Sequence, residues 1–199
     1  MIIIMTTKMK KSMMNKQLMS VLVMLTIIPL AGTALATNSN AWYWVDATQT
    51  YVCTSDLQNG LTVTGNVSIC ADVSTSGDRW ENNPGSNWTL STSGTGNDTN
   101  ITAEDLAAGD LGVTNYGYNG SYQLVEANIE INQNESWGDV LDGDSTKRDF
   151  QSVMTHEFGH LAGLSHTTNT SSVMYATVAI GDDNRQPTSH DFDHMDDKY

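Results

Sequence analysis

Three of the chain's five histidines lie between His156 and His166, in the stretch "HEFGHLAGLSH". His156 and His160 are i and i+4, so on a helix they stack one turn apart on one face. Two imidazoles so placed reach a single metal ion about 2 Å from each nitrogen. Gly163 offers the left-handed backbone that ends a helix sharply, and the turn it makes returns His166 toward the first two rings. Three neutral nitrogens plus a water make a four-coordinate zinc site with one exchangeable position, which is the arrangement of a catalytic rather than a structural centre. Glu157, between the two helical histidines, falls near the apolar side of the helix, where a solvated charge is out of place. The full H-E-x-x-H-x-x-G-x-x-H pattern fixes five positions. At this composition its chance occurrence is on the order of one in 10⁵, so the reading adopted is a metal site with Glu157 as its base.

These side chains need a helix to carry them. Asp149 starts it, and Phe150, Met154, Phe158 and Leu161 form a stripe that faces a core. Upstream, Val125 to Asn132 alternates apolar and polar residues, with Val125, Ala127, Ile129 and Ile131 on the buried side, as a strand with one wet face does. Thr102 to Gly109 reads as a short helix, capped at Thr102 and stopped at Gly109. The segment from Asp72 to Asn100 is rich in Ser, Thr, Gly, Asn and Asp and reads as loops or short strands held by Trp80 and Trp88. Asn59-Gly60 reads as a turn into a strand over "LTVTGNVSI". Between strand and helix, Asp139, Asp142, Asp144 and Asp149 are candidate calcium ligands. They lack the EF-hand spacing, and a solvated acidic loop is the competing reading. His190 and His194 are also i and i+4, without a third ligand or a glutamate in register, and read as surface residues.

The chain opens with four lysines (Lys8, Lys10, Lys11, Lys16), an apolar run from Leu18 to Leu30, and "ALA" at 34–36. That order describes a secretory signal peptide over residues 1–36. The apolar run, broken by Pro29, is short of the ~20 residues that span a bilayer, so no membrane anchor is expected after cleavage. Residues 37–199 then form one domain. The leader removes four of nine basic residues, leaving five against 23 acidic ones, a net charge of −18. Polyanions such as nucleic acid are excluded as partners by that charge. Cys53 and Cys70 read as one disulfide in an exported chain, worth roughly 3 kcal/mol on the chain-entropy model. Free thiols or a metal-held thiol are the alternatives.

The histidine motif, followed by "SSVMY" with Met174 eight residues after His166, resembles the metzincin signature with its Met-turn. Within that clan the chain looks most like the matrixins and their bacterial relatives: Thr167 stands after the third histidine and Tyr175 follows the methionine. The strand "ANIEIN", Trp137, and the ending "RQPTSHDFDHMDDKY" resemble matrixin segments as well, the last as a closing helix capped near Thr188 or Ser189. The resemblance covers about residues 122–199. It implies an α+β fold: a twisted, mostly parallel sheet, an active-site helix, a Met-turn and a C-terminal helix. It implies a secreted, monomeric zinc endopeptidase acting on protein or peptide substrates. One zinc sits on His156, His160 and His166, a zinc-activated water is deprotonated by Glu157, and Met174 forms an apolar floor. Substrate would add as an extended strand along Val125 to Asn132.

The chain departs from that family in three places. Ala176 replaces the usual proline two after the methionine, the "PRCG" latency peptide is absent, and no long helix is read between Cys70 and Asn100. Two other functions compete: a zinc hydrolase of some other bond, and a secreted binding or adhesion module that keeps zinc for structure. Intact Glu157 speaks against the last.

Overall fold

The computed structural model describes residues 8–9, 43–65, 68–81, 87–92, 99–119, 121 and 123–199. The expected leader, apart from Lys8–Met9, lies outside them. In chain order the elements are β1 (Lys8–Met9), β2 (Tyr43–Trp44), β3 (Thr48–Cys53), α1 (Ser55–Gly60), β4 (Val63–Thr64), α2 (Ile69–Glu81), β5 (Thr89–Thr92), β6 (Thr99–Glu104), β7 (Gly112–Tyr118), β8 (Gln123–Asn132), β9 (Trp137–Gly138), β10 (Arg148–Asp149), α3 (Phe150–Leu161) and α4 (Ser189–Asp196). The main sheet runs β1-β7-β8-β6-β3-β5, with β2 also on β8, and only the β7–β8 pair is antiparallel. A small parallel sheet joins β10, β9 and β4. This is the α+β architecture with a mostly parallel sheet that the sequence implies.

The core lies between the sheet and two packed helices. In α2, Ile69, Asp72, Val73, Ser76, Gly77 and Trp80 are buried, a helical stripe half of which is small or polar. Its contacts explain that choice. Gly77 faces Phe158 of α3 and Leu90 of β5, where a Cβ would meet them at ordinary van der Waals distances of 3.6 Å and 3.5 Å. Trp80 Nε1 donates to Thr155 O at 2.8 Å, and Gln151 Nε2 donates to Asp72 Oδ1 at 2.7 Å. A 13-residue helix therefore stands where the sequence reads loops. The disulfide is present: Cys53, ending β3, is bonded to Cys70 in the first turn of α2.

Three further expectations are corrected. Thr102 to Gly109 does not form a helix: β6 continues to Glu104, with Thr102 to Glu104 paired to β8, and sheet pairing outweighs the local capping pattern. Asn59 and Gly60 close α1 instead of turning into a strand; among the described residues of that stretch Val63–Thr64 alone pair as a strand, and Ile69 already belongs to α2. Residues 127, 129 and 131 of β8 are buried as the alternation predicts, but Val125 is exposed. A register shift opposite Gly117/Tyr118 reverses the facing at that end. β8 is also flanked by both β6 and β7, so it cannot be the edge for an added strand. The outer strand is β7, covered only where β1 pairs with Asn115 and Tyr116.

The candidate calcium site is not supported. Asp149 caps α3, accepting from Ser152 N at 2.9 Å, and its carboxylate pairs with Arg185, which also engages Asp139. Asp144 accepts from Thr146 Oγ1 at 2.6 Å and from Thr64 Oγ1 at 2.7 Å. These carboxylates tie the acidic loop to its surroundings. The loop's role is to join α3 to the segment before α4.

Candidate metal centre

Every residue of α3 is buried, because α2, the inner face of β7 and the segment after His166 enclose it. On β7 the residues two apart share that inner face. A Cβ on Gly112 would lie 2.7 Å from Glu157 Oε1, Thr114 Oγ1 donates to Glu157 Oε2 at 2.7 Å, and Tyr116 OH donates to His160 O. The helix stops where expected. Ala162 is the C-cap, Gly163 follows at φ 82°, and its N–H donates to His160 O at 2.7 Å.

The turn brings the third histidine home. His166 Nε2 lies 3.1 Å from His156 Nε2 and 3.1 Å from His160 Nε2. Three nitrogens bound to one tetrahedral zinc at about 2.0–2.1 Å would be separated by roughly 3.3 Å, so these spacings fit the ion. The other ring nitrogens are used: His156 Nδ1 donates to Val173 O at 2.7 Å and His160 Nδ1 to Leu164 O at 2.8 Å. Those bonds fix the tautomer that leaves each Nε2 lone pair facing inward. Burial, helped by the neighbouring His166, pulls His156 down to about 3. Burial alone takes His166 down to about 4, and burial with the two neighbouring rings holds His160 well below the ordinary range. All three are therefore neutral at physiological pH, the form that binds metal. Among the described residues, no other group of three or more ligating side chains converges in this way.

Glu157 is fully buried. Burial raises its carboxyl to about 8, against the lowering effect of the Thr114 hydroxyl. Oε1 has no hydrogen-bond partner. A buried carboxylate oxygen left open costs free energy unless something polar arrives to meet it. The inward lone pairs form a set of donors that could hold a metal ion, with the open acceptor of Glu157 on the helical residue next to His156.

Met174 is fully buried, and a Cβ on Gly159 of α3 would collide with its sulfur and with Trp80. The methionine thus packs beneath the helix rather than among the ligands. The turn carrying it is fastened to α4. Asp191 accepts from Ser172 Oγ and, through Oδ2, from Thr188 N and Thr188 Oγ1, each at 2.8 Å; Ser172 Oγ in turn accepts from Met174 N at 2.9 Å. Thr188 is the N-cap and α4 begins at Ser189, as the sequence indicates. Sequence reasoning passed over Gly112, Thr114, Tyr116 and Asp191. The period-two run Gly-x-Thr-x-Tyr was the available signal for the first three.

A helix with two stacked histidines and a glutamate, a glycine turn, a third histidine and a methionine floor defines the metzincin class of zinc metallopeptidases. Residues 104–199, a little under half of the chain, match the family model for the matrixins, so the C-terminal part of the chain is similar to that family of metzincins. No curated protein matches the sequence. The family is zinc-dependent, and its members act on protein or peptide substrates. Among the described residues, no helix is long and apolar enough to cross a membrane.

Proposed function

We propose that the protein is a secreted zinc endopeptidase that hydrolyses extended polypeptides with Glu157 as general base. The observation that carries this reading is the convergence of three Nε2 atoms beside a buried glutamate with one open oxygen. Zinc, held by His156, His160 and His166, would supply a Lewis acid that polarises the scissile carbonyl and acidifies the attacking water. Thr114 occupies Oε2 of Glu157, leaving Oε1 to take the proton of that water and then pass it to the departing amine. Buried α3 keeps the base and the imidazoles in one rigid frame. Substrate would add along β7, whose outer main-chain groups β1 meets at Asn115 and Tyr116. Removal of residues 1–36 on export would free that edge, so secretion and activation would coincide.

Digestion of casein by the purified protein tests the reading. Cleavage that is lost with a chelator, restored by zinc, and abolished in Glu157→Ala is the expected result. Zinc binding without hydrolysis of casein or a peptide library would refute it and favour a binding module. Amino-terminal sequencing of protein recovered from the culture medium should begin at Thr37; retention in the cell with Met1 intact would refute export.

A further inference from the structure

Two histidines remain outside the triad, and they lie on one face of α4. His190 and His194 are i and i+4, both partly exposed, with ring centroids 4.7 Å apart and planes at 89°. The ligand pair on α3, His156 and His160, has the same separation of 4.7 Å and an interplanar angle of 86°. Helical spacing thus gives both pairs the same ring separation and nearly the same inclination, and on α3 the pair so spaced brings both its Nε2 atoms within 3.1 Å of His166 Nε2. On α4, His190 Nε2 rests 3.3 Å from Thr167 Oγ1. That long contact steadies the ring, and a rotating hydroxyl can readily give it up. His194 has no hydrogen-bond partner among the described residues beyond its edge contact with His190. Asp193, Asp196 and Asp197, all exposed, surround the pair in sequence and favour the approach of a cation.

We propose that His190 and His194 form a second, weaker site for a transition-metal dication such as zinc, with water completing the coordination. Paired imidazole nitrogens select the zinc, copper and nickel group over calcium or magnesium, which prefer oxygen. The site is weaker than the triad for two structural reasons. It offers two protein ligands rather than three, and neither ring is locked by a backbone carbonyl as His156 is by Val173. Its position gives an occupant influence on the first centre. Thr167 directly follows the ligand His166, and Asp191, next to His190, is the residue that fastens the Met-turn. The proposal does not depend on the peptidase reading.

Equilibrium dialysis of the whole purified protein against buffered zinc tests it, with bound metal counted directly and thermal stability recorded at each concentration. The wild type should bind two equivalents, the second more weakly, with a further rise in melting temperature as the second fills. His190→Ala and His194→Ala should each lose the second equivalent and its stabilisation while retaining the first unchanged. Saturation of the wild type at one equivalent would overturn the proposal, as would a second equivalent that persists in both variants. Should His190→Ala fail to fold, His194→Ala decides alone, since that residue is partly exposed and lies away from Thr167, which His190 contacts.

Discussion

Thr114→Val replaces a hydroxyl by a methyl of nearly the same size and keeps the β-branch that suits strand β7. Thr114 Oγ1 donates to Glu157 Oε2 at 2.7 Å, both residues are fully buried, and Oε1 is already without a partner. The substitution therefore strands the whole carboxylate. A hydrogen bond to a charged group contributes about 1.5–3 kcal/mol, and each ~1.4 kcal/mol in a barrier is tenfold in rate. If the bond serves to orient the base, kcat should fall about tenfold to a hundredfold while KM changes little, because β7 keeps its shape and its outer edge. Thr114→Ser should recover most of the loss. A second measurement separates orientation from general damage. Urea unfolding of the metal-free protein in a double-mutant cycle with Glu157→Gln should give a coupling of about 0.5–1.5 kcal/mol. The hydroxyl also lies 3.2 Å from Glu157 O, so a small loss will persist in the Glu157→Gln background. Undiminished kcat in Thr114→Val, or an equal stability loss with and without the Glu157 carboxylate, would refute the reasoning.

Gly112→Ala would set a Cβ 2.7 Å from Glu157 Oε1. It should lower kcat more than tenfold at a stability cost of about 1–3 kcal/mol, measured by peptide hydrolysis and urea melts. Asp191→Ala unfastens Ser172 and hence the turn whose Val173 carbonyl holds His156. Zinc affinity measured by chelator competition should weaken about 10- to 100-fold, as loss of ligand-orienting contacts does. The metal-free protein should be most stable near pH 6.5. Below that pH the unfolded chain protonates three histidines whose folded values are depressed, so stability is lost as pH falls toward about 4. Above it, folded Glu157 keeps a proton up to about 8 that the unfolded chain has released, so stability is lost as pH rises. Each uncompensated proton contributes about 1.4 kcal/mol per pH unit. Asp72, raised to about 6 by burial, opposes the histidines only over the acid part of the range. Melting temperatures of chelator-treated protein that rise continuously from pH 6.5 to 8 would contradict this account.

The convergence of the three histidines was legible in the sequence because its information is local. Four of the site's chemical groups and the turning glycine lie within eleven residues, and helical spacing fixes how the first of them meet. What supports that centre was much less legible, for a common physical reason. Helix α2 buries Asp72, Ser76 and Gly77 beside Ile69, Val73 and Trp80, so its apolar stripe is interrupted by small and polar residues and is hard to read. The segment from Thr102 has the residue types of a capped helix, but Thr102 to Glu104 is held extended by its pairing with β8. Thr114 and Asp191 sit 43 residues before Glu157 and 19 after Ser172 respectively, and no short-range pattern connects either one to its partner. The acidic loop misled in the same way: its carboxylates serve Arg185, a cation 36 residues beyond Asp149.

The precision of the site rests on backbone carbonyls more than on contacts between side chains. The last turn of a helix leaves carbonyls without intrahelical partners, and in α3 aromatic side chains from separate parts of the chain supply them. Trp44 Nε1 donates to Leu161 O at 2.7 Å, Tyr199 OH to Ala162 O at 3.3 Å, and Tyr116 OH to His160 O, which also accepts from Gly163 N. Each of these donors is rigid and mostly buried, so the helix end cannot fray without opening the core. Leu164 N, bonded to Gly159 O at 3.0 Å, carries this constraint around the glycine turn to the carbonyl that holds the His160 ring. His156 takes its orientation from Val173 and thus from Asp191 and α4. Two adjacent ligands are therefore aimed by two independent routes through the fold, and an ion that binds both is read by the whole C-terminal half at once.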